Sequence, residues 1–502
     1  MINKALMKRF IFFLSVAILA LACTKTPEPQ PQPVVETTVV LDQQTLSLPV
    51  GGTQQLHVTV TPAGKTVTWT TSASAVATVD EKGNVQGVAP GQAVITAKAD
   101  DVSAQCAVTV VGITIDKLSS DAAILHAAGG ESTFSVTAGS AWKINCDVSW
   151  LRFAPVEGSA GTTEVRVLAD ENAKDSPRPA VITVVSGSEE ASFSITQRPN
   201  IYTRRVVGNS SMTNGIQLTY DGTRWTRIYA LLPVPKTNLY QDITDFSVTA
   251  GTVYDCPDGV NSFVAADLGA GEIPASGENV VTESFHATAY EVSANLDLIT
   301  DIPPYDPESA PCKLYLGKED GDLVDPENKD VVAVANELWN ASFRDLLLYA
   351  RKCYTWTAEN MQYGNMNTGL HTITQLMRTR LGDCGNFASV FISLLRAKGI
   401  PARHVVMLDT QHHGYHVRAE FYIPTYGWIP ADPNFFHDNP GGNYFGEFTG
   451  TYVVTSQGIN TICKDPDGKD FAASLMQVYW LWWWFSSPGS GFDTQHVFSS
   501  FR

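Results

Sequence analysis

Residues 383–400, "DCGNFASVFISLLRAKGI", place apolar residues three and four positions apart. This spacing predicts a helix with an apolar face. The positions on that face are Phe387, Val390, Phe391, Leu394 and Leu395. Gly399, followed by Ile400 and Pro401, predicts where the helix ends, because glycine closes helices readily and proline cannot continue them.

The pattern differs elsewhere along the chain. Residues 36–111 and 118–198 show short alternating runs separated by turn residues, which predicts two all-β sandwiches. Residues 200–329 stay strand-rich, with breaks such as "DIPPYDPESAP". Residues 330–437 combine helical patterns with the later strands "ARHVVML", "YHVRAEFYIP" and "GWIPADP", which predicts an α+β core. Residues 438–502 follow as an aromatic-rich C-terminal extension.

Residues 1–22 have the pattern of an export signal. A basic start precedes the apolar stretch "IFFLSVAILALA", which is too short to span a bilayer as a helix. The end of this segment, at Cys23, resembles a bacterial lipoprotein signal, although Ala20 stands where Leu is usual. The alternative is an ordinary secretory peptide that is cut nearby. The resemblance implies lipidation of Cys23, and the prolines of residues 23–35 predict an extended linker.

Composition and charge narrow the classes of partner. The 502 residues are enough for about three domains, and 44% of them are hydrophobic. A net charge of −17 disfavours nucleic acid and anionic membrane surfaces as partners. Eight cysteines become seven once Cys23 is set aside, and an odd number leaves at least one outside any intramolecular disulfide.

Cys384 lies at the start of the predicted helix, next to Gly385 and two residues after Gly382. Asp383 or a nearby residue can cap this helix, and the N–H groups at a helix start favour the thiolate, the reactive form of cysteine. The glycines allow a close approach of backbone and substrate. Half of a disulfide or a buried structural thiol would show the same local pattern, so three interpretations remain open on this stretch alone.

His416 and Asp432 supply what a nucleophilic cysteine needs. His416 lies on a strand predicted after the helix, where it can reach the start of the helix, and Asp432 follows after a turn. An acid at that place can orient the imidazole and stabilise its charged form. Cys384, His416 and Asp432 are therefore the candidate nucleophile, base and orienting acid.

The two β segments resemble known families. Residues 36–111 resemble bacterial Ig-like (Big) domains through "VGGTQQLHVTVTP" and "GNVQGVAPGQAVITA". Residues 118–198 resemble BACON domains, and the matching residues are Trp142, Trp150, Asn172, Arg178 and Gln197. The BACON resemblance implies possible contact with glycans or mucin, but Trp142 and Trp150 are predicted to be core residues. A role as spacers is the alternative for both modules.

Residues 330–437 resemble the transglutaminase-like superfamily, which has a papain-like Cys–His–Asp core. The matching segments are "GDCGNFASVFISLLRAKGIPARHVV" and "HVRAEFYIPTYGWIPADP". The resemblance implies Cys384 as nucleophile, His416 as base and acid, and Asp432 as orienter. Arg418 is a departure, because relatives commonly have Trp at this position. That departure concerns substrate contacts.

The implied reaction is attack of the thiolate on an amide carbonyl, which leaves a thioester on Cys384. Water then gives hydrolysis or deamidation, and an amine gives transamidation. The Cys384 backbone N–H is the first candidate donor to the oxyanion, and Tyr363 is the second. No cofactor and no metal are expected.

Other motifs have plainer explanations. His412 and His413 suggest a metal site, but no matching ligand cluster accompanies them, so a loop is expected. Glu420 shares a strand face with His416 and is expected to be a structural partner. Residues 465–470, "DPDGKD", lack the later acidic ligand of a calcium loop and predict a turn. Residues 479–485, "YWLWWWF", predict a core strand, with an aromatic wall beside the thiol as the alternative.

The whole chain is therefore expected to be multidomain, with two N-terminal all-β Ig-like sandwiches followed by an α+β transglutaminase-like domain with strand-rich flanks. The leading hypothesis is an enzyme, exported and lipid-anchored at Cys23 on the outer membrane or surface of a Gram-negative bacterium, that acts on protein or peptide amides. The alternative is a catalytically silent surface lipoprotein that acts in adhesion or binds glycans or proteins.

Overall fold

The computed structural model describes residues 36–116, 124–187, 189–221, 225–270, 276–364, 369–411, 414–474, 480–485 and 491–498. The expected export signal, linker and lipidation site at Cys23 lie outside these residues. The chain divides into two compact units, of which the first ends at Gly112 and the second is Ile113–Arg502. None of the helices in the described ranges is long and apolar enough to cross a membrane.

The first unit is an all-β sandwich. Its main sheet has the strand order β2-β9-β8-β5, its second sheet has the order β3-β7-β6, and β1 pairs with β4. Alternating residues of these strands, except the exposed β3, face a shared core, as the period-two pattern predicts. The strands are β1 (Thr38–Leu41), β2 (Thr45–Pro49), β3 (Thr53–Gln55), β4 (Val58–Thr61), β5 (Thr68–Thr71), β6 (Ala77–Val79), β7 (Asn84–Gly87), β8 (Gly91–Ala99) and β9 (Val102–Val111).

The second unit begins with another β-sandwich. One sheet has the order β10-β12-β16-β14 and the other β11-β18-β17-β13-β15. Trp142 is 3% exposed in its core, and Trp150 is partly buried beneath the Arg178 guanidinium, so both residues are structural, as predicted. The strands are β10 (Thr114–Asp116), β11 (Ile124–Leu125), β12 (Gly130–Ala138), β13 (Trp142–Asn145), β14 (Leu151–Ala154), β15 (Glu157–Gly158), β16 (Gly161–Ala169), β17 (Arg178–Ser186) and β18 (Glu189–Gln197).

A strand-rich segment and a mixed helical segment follow. The next strands are β19 (Tyr202–Asp221), β20 (Trp225–Pro233), β21 (Gln241–Val248), β22 (Thr252–Asp255), β23 (Ser262–Ala270) and β24 (Ser276–Ala294). The helices are α1 (Ala310–Tyr315), α2 (Lys329–Ala341), α3 (Leu346–Asn360), α4 (Ile373–Thr379), α5 (Cys384–Arg396) and α6 (Pro433–Asp438), with short 3-10 turns at Leu296–Leu298 and Asp320–Asp322. The remaining strands are β25 (Gln362–Tyr363), β26 (Leu381–Gly382), β27 (Ala402–Asp409), β28 (Tyr415–Ile423), β29 (Gly427–Ala431), β30 (Glu447–Phe448), β31 (Tyr452–Gln457), β32 (Asn460–Lys464), β33 (Asp470–Ser474), β34 (Trp480–Phe485) and β35 (Gly491–Phe498).

The strands of residues 438–502 complete sheets that begin earlier in the chain. β31 pairs with β27 at the edge of the sheet β29-β28-β27-β31, and β30, β34 and β35 pair with β24, β20 and β19. The C-terminal segment is therefore interleaved with the two segments before it. β34 lies within the aromatic stretch at residues 479–485, but its side chains lie outside the described part, so their packing stays a prediction.

Helix α5 is the centre of the mixed segment. The five predicted apolar positions are fully buried, but so is the rest of the helix, because helices α2, α3, α4 and α6 and strands β27 and β28 surround it. Several of its polar side chains form hydrogen bonds inside the protein. Ser393 donates to the Ser389 carbonyl at 2.8 Å, and Arg396 donates to Ala402 O at 2.9 Å and Glu319 Oε1 at 2.9 Å. The sequence predicted an amphipathic helix, and the structure corrects this to a helix that is buried on every side.

The second β-sandwich is joined to the mixed segment by polar contacts. Arg198 donates to Thr425 Oγ1 at 3.2 Å and pairs with Asp301 Oδ2 at 3.0 Å. His126 Nε2 lies 3.2 Å from the Tyr422 hydroxyl. These side chains hold the sandwich against β28, the turn that follows it and the loop that contains Asp301.

Glu420 is a structural residue, as predicted. Its Oε1 accepts hydrogen bonds from Arg403 Nε at 2.6 Å and Gln457 Nε2 at 3.0 Å, and its Oε2 accepts one from the Tyr240 hydroxyl at 2.6 Å. The carboxylate is 1% exposed. It ties the strand-rich segment and the C-terminal segment to the sheet that carries β28.

A substitution at Phe391 tests how much the core around α5 contributes to the stability of the fold. Phe391→Ala removes a fully buried ring, so we expect the free energy of unfolding to fall by about 3–5 kcal/mol. The matched control is Phe343→Ala, because Phe343 is 90% exposed and its loss should have an effect below about 0.5 kcal/mol. Urea unfolding of the full chain, followed by circular dichroism, measures both. Equal losses in the two variants would contradict this account of the core.

Candidate active site

The local sequence around Cys384 builds a capped helix start. Asp383 is the N-cap of α5, and its Oδ1 accepts hydrogen bonds from the Asn386 backbone N–H at 3.2 Å and from Asn386 Nδ2 at 2.8 Å. A Cβ on Gly382 would lie 2.4 Å from the Asn386 Cβ, so only glycine fits there. Cys384 is the first residue of the helix and is 5% exposed. The thiol therefore lies at the positive end of the helix dipole.

The base and the acid come from the strands that follow. His416 is on β28, and Asp432 directly precedes α6. The distance from His416 Nε2 to Asp432 Oδ2 is 2.6 Å. Asp432 also caps α6, because its Oδ1 accepts a hydrogen bond from the Phe435 N–H at 2.9 Å. The Phe435 ring stacks on His416 with 4.3 Å between ring centres, which fixes the imidazole plane.

The electrostatics favour a charged imidazole. Burial lowers the pKa of His416, but the charge and hydrogen bond of Asp432 and the hydrogen bond to Cys384 outweigh it and raise the pKa to about 9. Burial raises the pKa of Asp432, but His416 and Arg418 outweigh it and lower the pKa. Since Nε2 binds Asp432, Nδ1 is the ring nitrogen left for the thiol. The three predicted residues are thus joined in one hydrogen-bonded chain.

Tyr363 comes from β25, which precedes α5 in the sequence, whereas His416 comes from a strand that follows α5. β25 pairs with β26, and Tyr363 stands opposite Gly382 in that pair. Its side chain is 42% exposed. Burial raises the pKa of its phenol, and the nearby charges of Cys384 and Asp383 raise it further. The candidate oxyanion donor is therefore close to the thiol.

Arg418 is a residue of the site for which the sequence indicates a departure from relatives but no partner. It is 1% exposed, and its Nε lies 2.9 Å from Asp432 Oδ2. The signal was present, because residues two apart on a strand share a face and Arg418 follows His416 by two positions.

The other predicted positions lie outside this site or outside the described residues. His412 and His413 are not among the described residues, nor is Cys23. Asp465 caps its own turn by accepting a hydrogen bond from the Lys469 N–H at 2.8 Å, as expected for a turn. Within the described ranges, no group of three or more His, Cys, Asp or Glu is arranged to hold a metal ion. The seven cysteines in those ranges form no disulfide.

Three family models match the chain. Residues 334–433 match the transglutaminase-like superfamily, and the three candidate catalytic residues fall inside that match. Residues 35–110 match the bacterial Ig-like domain (group 2). Residues 140–198 match BACON, which is described as a proposed N-terminal binding domain. These are the three families that the sequence motifs resemble.

Known relatives are similar over short stretches. An uncharacterized protein of Clostridium acetobutylicum is 39% identical over 90 residues, which is 17% of this chain and 9% of that protein. An uncharacterized protein of Haemophilus influenzae is 29% identical over 111 residues, which is 16% of this chain and 30% of that protein. The chain therefore spans less than a third of the length of either relative.

A solved structure of a proposed cysteine protease from Cytophaga hutchinsonii is 16% identical, with a TM-score of 0.34, and the comparison covers 59% of this chain and 100% of that one. The family matches and the described fold together identify the parts of the protein. The chain carries a transglutaminase-like superfamily domain behind a bacterial Ig-like domain and a BACON domain.

Proposed function

We propose that this protein is a cysteine-dependent enzyme that acts on the amide bonds of proteins or peptides. The observation that carries the proposal is the hydrogen-bonded chain from Cys384 through His416 to Asp432. Such an arrangement provides an activated nucleophile, a base and an orienting acid. The transglutaminase-like family match supports this class of chemistry.

The proposed reaction follows from these groups. The Cys384 thiolate attacks the amide carbonyl carbon, and the carbonyl electron pair moves to the oxygen. When the C–N bond breaks, His416 gives its proton to the departing amine, and a thioester remains on Cys384. Water or an amine then attacks the thioester while His416 accepts the proton of the attacking group. Release of the acyl group restores the thiolate, by hydrolysis or by transamidation.

Two donors are proposed to stabilise the oxyanion. The Cys384 N–H is at the start of α5, where backbone donors point away from the helix. The Tyr363 hydroxyl is the second donor, because it is partly exposed and close to the thiol. Donors that are already in place when the charge develops favour the transition state over the ground state.

We further propose an exported protein that is anchored through a lipid on Cys23. Ig-like and BACON domains accompany surface proteins, which supports an extracellular location. The adhesion alternative gains no support from Trp142 or Trp150, because the first is a core residue and the second is covered by Arg178. Catalysis is therefore the function that the described residues favour.

Peptide conversion tests the reaction directly. We expect the full chain to cleave or deamidate members of a mixed peptide pool, and to add an amine to some of them when a primary amine is supplied. Mass spectrometry identifies the products. Cys384→Ala should abolish every product, whereas Cys146→Ala should not, because Cys146 is a more exposed cysteine on the BACON domain. Products that persist in Cys384→Ala would refute the proposal.

The raised pKa of His416 predicts a pH-dependent stability. Protonated His416 stabilises the fold fully below pH 6.5, and this contribution is lost as the pH rises through about 9. We expect a loss of about 3 kcal/mol across that window, and a clearly smaller loss in Asp432→Asn. Unfolding by urea at a series of pH values measures it. The control Asp438→Asn changes a carboxylate on the same short helix and should keep the wild-type pH dependence; a flat wild-type profile would contradict the assignment.

Tyr363→Phe tests the second oxyanion donor. Loss of the hydroxyl should lower kcat by about tenfold to a thousandfold, because a donor to the developing charge is removed. Alkylation of Cys384 by iodoacetamide should keep its wild-type rate, since the thiol and His416 are unchanged. An unaltered kcat would remove Tyr363 from the mechanism.

A further inference from the structure

Arg418 is buried at the centre of the candidate site. It lies two residues after His416 on β28, so both side chains leave the same face of the strand. Its Nε is 2.9 Å from Asp432 Oδ2, and the same oxygen accepts the hydrogen bond from His416 Nε2 at 2.6 Å. One carboxylate oxygen therefore serves two cationic side chains.

The guanidinium is held in place by its surroundings. Arg418 Nη2 donates a hydrogen bond to the Thr449 carbonyl at 2.5 Å. The central carbon of the guanidinium lies 5.0 Å, 4.6 Å and 5.0 Å from the ring centres of Phe435, Phe448 and Tyr452. A cation enclosed by three aromatic rings is stabilised by their electron-rich faces. Arg418 cannot leave this position without breaking these contacts.

The contact of Arg418 with Asp432 contributes a positive charge but no directional hydrogen bond. The directional hydrogen bond to Oδ2 of this carboxylate comes from His416. Arg418 Nε is close to Oδ2 but lacks the alignment of a hydrogen bond, so the contact is an ion pair. The aligned hydrogen bond to Oδ2 comes from His416. Arg418 thus neutralises the carboxylate without competing for the geometry that orients the imidazole.

The sum of the charges around His416 explains why the position of Arg418 matters. The described titratable and charged groups that face His416 are Cys384 on α5, Asp432 before α6, Arg418 on β28 and Tyr452 on β31. In the thiolate form that the proposed reaction uses, Cys384, the His416 imidazolium and the Asp432 carboxylate together carry one net negative charge, and Arg418 cancels it. An uncompensated buried charge would be strongly destabilising.

We propose that Arg418 is a positioning residue of the candidate site: it keeps Asp432 ionised and limits how strongly this carboxylate retains the proton on His416. The catalytic meaning of this role rests on the proposed function. His416 has to release its proton to the leaving amine, and an acid with too high a pKa does so poorly. Arg418 therefore adjusts the acidity of His416 through Asp432.

Histidine titration by NMR tests the proposal on the full chain. The protein is labelled with ¹³C-histidine, and the His416 signal is assigned by its loss in His416→Gln. Arg418→Gln should raise the titration midpoint of His416 by about 1 pH unit or more, because the full charge of Asp432 then acts on the imidazole. Arg418→Lys keeps the positive charge and should titrate with the wild type.

Arg403→Gln is the matched control. Arg403 is also buried and paired with a carboxylate, Glu420, but it does not contact Asp432. This variant should lose stability without moving the His416 midpoint. An unchanged midpoint in folded Arg418→Gln, or an equal shift in Arg403→Gln, would overturn the proposal. If Arg418→Gln does not fold, Arg418→Lys is the deciding variant. This variant keeps the positive charge, so a raised His416 midpoint in it would also overturn the proposal.

The NMR readout separates this inference from the proposed function. If the wild type converts no peptide, the enzymatic proposal fails, while the titration still shows whether Arg418 controls His416. If the wild type is active, the alkaline limb of the pH profile of kcat should shift upward in Arg418→Gln by the same amount as the His416 midpoint measured by NMR. A limb that stays in place while the midpoint moves would overturn the catalytic role of Arg418.

Discussion

The buried carboxylate of Asp432 is the group on which the rest of the candidate site depends. It is fully buried, and an ionised carboxylate at such a place needs partners for both oxygens. One oxygen caps α6 through the Phe435 N–H, and the other binds His416 and pairs with Arg418. A single charge thereby fixes the start of a helix, the plane of an imidazole and the place of a second cation. Removing it would affect the fold and the chemistry together.

The next polar residue of β28, Glu420, is also buried and paired with other side chains. His416, Arg418 and Glu420 alternate along one face of this strand, while Val417, Ala419 and Phe421 face helix α5. Each polar side chain is paired: His416 and Arg418 with Asp432, and Glu420 with Arg403 and Tyr240. A strand with one polar face normally leaves that face in water. Here the face is covered, so its charges are compensated within the protein.

The sequence predicted the features that local patterns determine. Residues that are close together predict the position of helix α5 and its cap, Asp383. A family motif predicts that Cys384, His416 and Asp432 act together. The covering of the polar face of β28 could not be predicted, because the residues that cover it are distant in sequence. Tyr240 and Glu420, for example, are separated by 180 positions. For Arg418, the spacing from His416 predicts a shared strand face, but not that Asp432, at the end of the neighbouring strand, is its partner.

The two β-sandwiches also differ in a way that family matches alone do not indicate. The Ig-like sandwich is a compact unit by itself, whereas the BACON sandwich belongs to the unit that contains the candidate site. Arg198, at the end of the BACON segment, reaches Thr425, Asp301 and the Tyr426 ring, and these residues lie beside the turn between β28 and β29. Because β28 carries His416 and β29 leads into Asp432, this contact holds the turn between the two strands that position these residues. The BACON sandwich is therefore packed as part of the unit that contains the candidate site, and is not a separate compact unit.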